Sequence, residues 1–182
     1  MTMNIFKSFR NTLRKFRDDR KGVSAVEFAM ILPVFALLYF GSIEVSFLML
    51  VDRKVTHTAS SLGDLVARGT TMTTAELEDI FDVSQALFSP YDGTTAEMRV
   101  TSIMSVDGNT EVVWSRAQNM SAYATGASVS IPDGLISDGQ SVIMAEVSFD
   151  YNSTLGYFLP STRTMDEVFY LRPRRVDVVN MQ

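Results

Sequence analysis

The chain has 182 residues and a net charge of −5, with a single histidine and no cysteine. The lack of cysteine excludes disulfides, thiolate metal sites and a thiol nucleophile, and the length suits one domain beyond any membrane segment. Residues 1–22 carry seven Lys and Arg against two Asp, whereas residues 23–182 carry nine basic and nineteen acidic residues. An acidic body offers no cationic stripe for phosphates, which argues against nucleic acid as a partner.

The apolar segment after this basic leader predicts a membrane anchor. Phe28 to Ile43 are sixteen residues without a charge, and Val45–Val51 continue the apolar character. A helix over residues 23–51 would be roughly 43 Å long, more than the roughly 30 Å of a hydrocarbon core. Because no small-x-small cleavage site follows, we expect the segment to be retained. The positive-inside rule places the N-terminus in the cytoplasm and the body in the periplasm.

Glu27 allows two interpretations. A carboxylate in hydrocarbon is costly, so its presence indicates a function. However, Glu27 and Glu44 are seventeen residues apart. That spacing is about 25 Å along a helix, so both carboxylates could lie near the two faces of a bilayer and need no function. The residues around Glu27 favour the first interpretation.

Those residues have the order of a processing site. Lys21 and Gly22 end the basic leader, and Val23, Glu27 and Phe28 open the apolar helix. This resembles the site at which a prepilin peptidase cuts prepilins and pseudopilins after the glycine, which leaves glutamate at the fifth position. KGVSAVEFAMILPVF and, more weakly, the C-terminal FYLRPRRVDVV resemble the TadE-like family of tight-adherence (Tad/Flp) pilus systems. Phe28 stands where the processed members tend to have tyrosine.

The resemblance implies a non-catalytic minor pilin-like component, a pseudopilin or scaffold, in the bacterial inner membrane. Its implied partners are other pilin-like subunits, pilus assembly proteins and a prepilin peptidase. Cleavage after Gly22 would free an ammonium at Val23, which would attract Glu27 of a neighbouring subunit in a low-dielectric site. The alternative is a signal-anchored periplasmic binding or sensor domain that belongs to no filament.

Beyond the anchor, the hydrophobic period predicts more helix. Apolar residues recur at three-to-four spacing at Val51, Val55, Ala59, Leu62, Leu65 and Val66. We therefore expect the anchor to continue as one long helix until Gly69. Thr74 is expected to open a second helix, Ala75–Phe88, with acidic residues in its first turn, where the helix dipole favours them.

From Glu97 the period changes to two, which predicts an antiparallel sheet. The strands expected are 97–106, Glu111–Arg116, Ser141–Tyr151 and Glu167–Leu171, with Arg175–Val179 to finish the sheet. The first two are joined by a hairpin turn, since Asp107-Gly108 is a strong hairpin signal. Trp114 is expected in the core. Arg172, Arg174 and Arg175 could bind an anionic partner or could guard the last strand as a solvated edge.

The fold class predicted is therefore α+β. A long N-terminal transmembrane helix precedes a small periplasmic domain of helices packed on an antiparallel sheet, as in pilin-like proteins. We divide the chain into a basic cytoplasmic leader, the transmembrane helix, a helical extension with the second helix, and the sheet region. The respective residues are 1–22, 23–51, 52–88 and 89–182.

The sequence shows no constellation for catalysis, a cofactor or a metal. His57 stands alone, which argues against a transition-metal site in a chain without cysteine. The serines have no GxSxG or SxxK context, and neither GxGxxG nor a P-loop occurs. Acidic residues that share the second helix are interpreted as a solvated face (Glu76, Glu78, Asp79 and Asp82). We expect no enzyme, no cofactor, no metal and no small-molecule substrate.

Overall fold

The computed structural model describes residues 22–153 and 162–182. These residues include two α-helices, α1 (Val23–Ala67) and α2 (Thr74–Ala86). The strands are β1 (Thr71–Met72), β2 (Glu97–Val106), β3 (Asn109–Gln118), β4 (Ser141–Asn152), β5 (Thr162–Leu171) and β6 (Asn180–Met181). One long apolar N-terminal helix, a second helix and an antiparallel sheet confirm the predicted α+β class.

The first helix, α1, is continuous over 45 residues. By length and composition it is able to cross a membrane, and it is the one helix of the described residues with this property. Its N-terminal side chains are exposed all round, including 63% of Phe28 and 74% of Met30, which is typical of a helix surrounded by lipid. Contacts divide the chain into two units between Val45 and Ser46.

In the second unit, one stripe of α1 belongs to the core. The predicted stripe residues Val51, Val55, Ala59, Leu62 and Val66 are all buried. Leu65 was predicted with them but is 38% exposed. At 100° per residue, Leu65 falls at the edge of the stripe, about 40° beyond Val51, so its side chain is partly exposed.

The second helix, α2, begins one residue earlier than predicted. Thr73, not Thr74, is its N-cap, because the Thr73 hydroxyl accepts a hydrogen bond of 3.2 Å from the backbone N–H of Glu76. The Glu76 carboxylate in turn accepts from the Thr73 N–H at 2.8 Å. This reciprocal capping box needs an acid three residues after the cap, and Thr74 has Leu77 there.

The four-stranded sheet has the order β3-β2-β4-β5, and all neighbours are antiparallel. The predicted hairpin joins β2 to β3 through Asp107 and Gly108, whose φ angles of 51° and 77° are those of a type I′ turn. One face of the sheet packs against α1 and α2. The other face buries Ile103, Val112 and Met144 beneath the irregular stretch between β3 and β4.

The prediction that Arg175–Val179 finishes the sheet was wrong. In the described part of the chain, β5 is the edge strand next to β4. Residues 175–179 form no strand. The chain instead crosses to β1, where β6 pairs in parallel with the register Thr71↔Asn180. In this segment the carbonyl groups of Val179 and Asp177 accept hydrogen bonds from the side chains of Trp114 on β3 and Ser141 on β4, and not from a neighbouring strand.

Candidate functional site

The predicted processing segment opens α1. Gly22 directly precedes the helix, which begins at Val23, so Val23 and Glu27 are neighbours at i and i+4 on one helix face. Phe28 follows on the adjacent face. Lys21, which also belongs to the predicted site, lies outside the described residues. The bond after Gly22 therefore lies at the first residue of α1.

This segment is open to its surroundings. Val23 is 51% and Phe28 63% exposed, and Glu27 is exposed too. Within residues 22–153 and 162–182, Glu27 has no hydrogen-bond or ion-pair partner. A carboxylate on the apolar part of a membrane helix is costly without a partner. Among the described residues, the Glu27 charge is therefore open to pairing with another group.

Packing does not require glycine at position 22. A Cβ atom built on Gly22 would meet no described atom within 4 Å, and its backbone is not in the left-handed region. Gly93 differs, because a Cβ there would overlap the backbone carbonyl of Gln85. Among the described residues, the fold explains Gly93 but not Gly22.

The second carboxylate of the apolar segment has different surroundings. Glu44 is buried, with 1% of its surface exposed, whereas Glu27 is exposed. One of the two sequence interpretations placed both carboxylates near opposite faces of a bilayer. Burial of a charged side chain is tolerated when it is paired or hydrogen-bonded. The two carboxylates are therefore not equivalent.

The C-terminal segment, residues 172–182, makes several polar contacts with the rest of the body. Asp64 of α1 forms ion pairs with Arg68 and Arg174, and the Arg174 N–H donates to the carbonyl of Ala67 at 2.9 Å. The Arg172 guanidinium donates to the carbonyl of Leu135 at 2.8 Å. Two of the three C-terminal arginines thus make contacts within the chain, which the sequence pattern did not reveal.

A second polar cluster links the sheet to the stretch between β3 and β4. Arg99 makes two hydrogen bonds to the Glu146 carboxylate, at 2.6 and 2.8 Å, across the β2–β4 pair. It also donates to the Ser121 carbonyl and to the Tyr123 hydroxyl, each at 2.8 Å, with the Tyr123 ring 3.8 Å from its guanidinium carbon. The hydrogen bonds to Glu146 raise the pKa of Arg99.

This cluster is satisfied internally. All three guanidinium nitrogens of Arg99 have acceptors, and burial together with the nearby Glu146 charge raises the pKa of Tyr170 beside it. A bidentate pair of this kind gives positional specificity. The sequence provides only a weak signal for this pair. Opposite charges at positions 99 and 146 can be matched only when the register of β2 against β4 is known.

Metal-ligating residues do not converge in the described part of the chain. There, no group of three or more His, Asp or Glu side chains could hold an ion. His57 is exposed on α1 and belongs to no such group. The acidic residues Glu78, Asp79 and Asp82 of α2 are also exposed, as expected for a solvated face.

Together, these features define a class of protein with one candidate membrane anchor and a small α+β body. The family model described as TadE-like protein matches residues 22–62, from the glycine of the predicted processing segment to the buried stripe of α1. The chain is therefore similar to the TadE-like family over this segment, which confirms the resemblance. The comparison with curated proteins gave no match, and neither did the comparison with solved structures.

Proposed function

We propose that the protein is a membrane-anchored, non-catalytic minor pilin-like component, a pseudopilin or scaffold, of a tight-adherence type IV pilus assembly system. The observation that carries this proposal is the TadE-like match over residues 22–62, in which the helix begins directly after Gly22. The anchor lies in the bacterial inner membrane. The basic leader is cytoplasmic and the acidic body periplasmic, as the charge asymmetry favours.

In this proposal a prepilin peptidase cuts between Gly22 and Val23. The new ammonium at Val23 then lies near the apolar part of the membrane, where a charge without a partner is costly. The exposed Glu27 carboxylate of a neighbouring pilin-like subunit supplies the opposite charge. Since attraction is strong in a low-dielectric site, this pair sets the register between subunits. The surrounding exposed apolar side chains of α1 provide the packing surface.

The test is the mass and N-terminal sequence of the full-length protein extracted from membranes of its native host. We expect the mature chain to begin at Val23, and to begin at the start of the leader in cells that lack the prepilin peptidase. A chain that keeps its leader in wild-type cells and brings down no pilus component would instead identify a signal-anchored binding or sensor domain.

The role of Glu27 is tested by Glu27→Ala, with Asp79→Ala as the matched control because Asp79 is an exposed acid on α2. Glu27→Ala is expected to be processed but to lose co-purification with the pilin-like subunits. Asp79→Ala is expected to behave like the natural protein. Equal co-purification of both variants would exclude the proposed pairing.

A further inference from the structure

We propose that a groove on the membrane-proximal part of the body binds one anionic phospholipid. The groove has a volume of about 620 Å³ and is lined by Ser46, Met49, Leu50, Arg53, Lys54, His57 and Leu87. All but Leu87 recur at three-to-four spacing on one stripe of α1, and Leu87 closes the groove from the end of α2. This proposal rests on α1 being a membrane anchor and not on a role in a pilus.

The position along α1 places the groove at the membrane surface. Apolar side chains are still exposed at Met49 (55%) and Leu50 (46%), and the first charges of the body follow at Asp52 and Arg53. About 20 helical residues cross the hydrocarbon core. Counted from Phe28, that distance ends near Leu48, and Arg53 is about 8 Å further along at 1.5 Å per residue. The long side chain of Arg53 can reach the phosphate layer from there.

The groove offers the two kinds of surface that a phospholipid needs. Met49, Leu50 and Leu87 give it apolar walls for the first carbons of an acyl chain. The Arg53 guanidinium is exposed and has no hydrogen-bond or ion-pair partner in the described part of the chain. A free guanidinium matches a phosphate in a bidentate manner.

Lys54 is held at the rim of the same groove. Its ammonium donates to the carbonyl of Leu87 at 3.0 Å and to the carbonyl of Ser89 at 2.7 Å, at the end of α2. An ammonium has three protons, so one donor remains for a ligand. The two hydrogen bonds fix the position of the charge before any ligand arrives, which lowers the entropy cost of binding.

The charge distribution favours an anionic lipid over a second copy of this chain. Residues 23–182 carry nineteen acidic against nine basic residues, so an anionic membrane repels the body as a whole. Arg53 and Lys54 are the first basic residues after the leader. They attract an anionic headgroup at this point, whereas the same stripe of a second copy would bring cations against cations.

The test uses the full-length protein in phosphatidylcholine bilayers with and without phosphatidylglycerol. Native mass spectrometry then counts the lipids that stay bound after extraction. Arg53→Gln is expected to retain about fivefold less phosphatidylglycerol, the effect of one basic residue at an anionic surface, and unchanged phosphatidylcholine. Arg175→Gln is the matched control, since Arg175 is an exposed arginine of the C-terminal segment.

A second measurement does not depend on Arg53. The chain has no cysteine, so Leu50→Cys provides a single labelling site in the groove. A fluorophore there is expected to be quenched more by brominated phosphatidylglycerol than by brominated phosphatidylcholine. Equal quenching, or equal lipid retention by Arg53→Gln and the natural protein, would overturn the proposal. Disulfide cross-linking between two copies of the unlabelled Leu50→Cys variant in pure phosphatidylcholine would also overturn it, by assigning the groove to a second copy.

Discussion

The indole Nε1 of Trp114 donates a hydrogen bond of 2.7 Å to the carbonyl oxygen of Val179. Trp114 lies on β3, and Val179 lies in the C-terminal segment just before β6. Both residues are buried. The bond therefore joins the sheet core to the last residues of the chain, and these residues in turn contact the end of α1 through Arg174.

Trp114→Phe is expected to release the C-terminal segment. The variant keeps an aromatic ring but leaves the Val179 carbonyl buried without a good donor, since the Ser102 hydroxyl is 3.5 Å away. We expect a loss of about 1–3 kcal/mol in the free energy of unfolding. Hydrogen exchange should accelerate over residues 174–182. Val83→Ala, at an exposed position of α2, is the control, and equal exchange in both variants would contradict the prediction.

Glu146→Leu is expected to free the stretch between β3 and β4 from the sheet. Arg99 would lose both of its hydrogen bonds to the carboxylate while its side chain stays only 13% exposed. A loss of about 2 kcal/mol in the free energy of unfolding is expected, together with faster proteolysis between residues 119 and 140. The double variant Arg99→Met/Glu146→Leu should regain part of the loss, because it buries no unpaired charge.

If the double variant were less stable than Glu146→Leu alone, Arg99 would stabilise the body mainly through its other contacts. These are the hydrogen bonds to Ser121 and Tyr123. A double-mutant cycle with chemical denaturation of the full-length protein in detergent separates the two contributions.

The capping box of α2 makes its first turn sensitive to acid. Hydrogen bonds from the Thr73 backbone and hydroxyl lower the pKa of Glu76 below its ordinary value of 4.5. A carboxyl with a depressed pKa in the folded state stabilises that state at pH values above its unfolded pKa. This contribution is lost as the pH falls through the folded pKa. We therefore expect the first turn of α2 to lose protection as the pH falls below 4.5 and through the lowered pKa of Glu76.

Thr73→Ala tests this pH dependence. The variant removes the hydroxyl hydrogen bonds of the cap. Amide exchange of residues 75–77, corrected for the intrinsic rate at each pH, should be fast already at pH values near neutral and should change less on acidification. An unchanged pH profile would show that another group governs the acid response.

Gly22→Ala and Gly41→Ala form a matched pair in α1. A Cβ at either position meets no described atom within 4 Å, so both variants should fold and insert equally. Under the proposed function, only Gly22→Ala should block cleavage and leave the larger, leader-bearing form on a gel. If both variants were processed like the natural protein, recognition of glycine by a prepilin peptidase would be ruled out.

Much of the fold follows from local signals. The continuous apolar period predicted α1, and the Asp107-Gly108 pair predicted the hairpin, because helix periodicity and turn chemistry depend on residues close together in the chain. The one-residue shift at the start of α2 depended on which threonine has an acid three residues later. Thr73 has Glu76 at this position, so the signal for the correct cap is local.

Local signals likewise predict one part of the candidate sites but not the other. Gly22 and Glu27 were predicted as a processing site because the order of neighbouring residues resembles that of a known family. The proposed lipid groove instead needs Leu87 and Ser89 to meet α1 some thirty residues away in sequence. Such a meeting depends on how α2 packs on α1, and a single sequence carries no direct signal for it.

The sequence by itself determined the candidate membrane helix, the charge asymmetry and the main helices and strands. Each of these depends on hydrophobic transfer or on periodicity within a short stretch. Only the tertiary structure decided the path of the C-terminal segment, the pairing of Arg99 with Glu146 and the burial of Glu44. The first two depend on strand register and on hydrogen bonds between residues far apart in the sequence, and all three depend on packing that a single sequence does not specify.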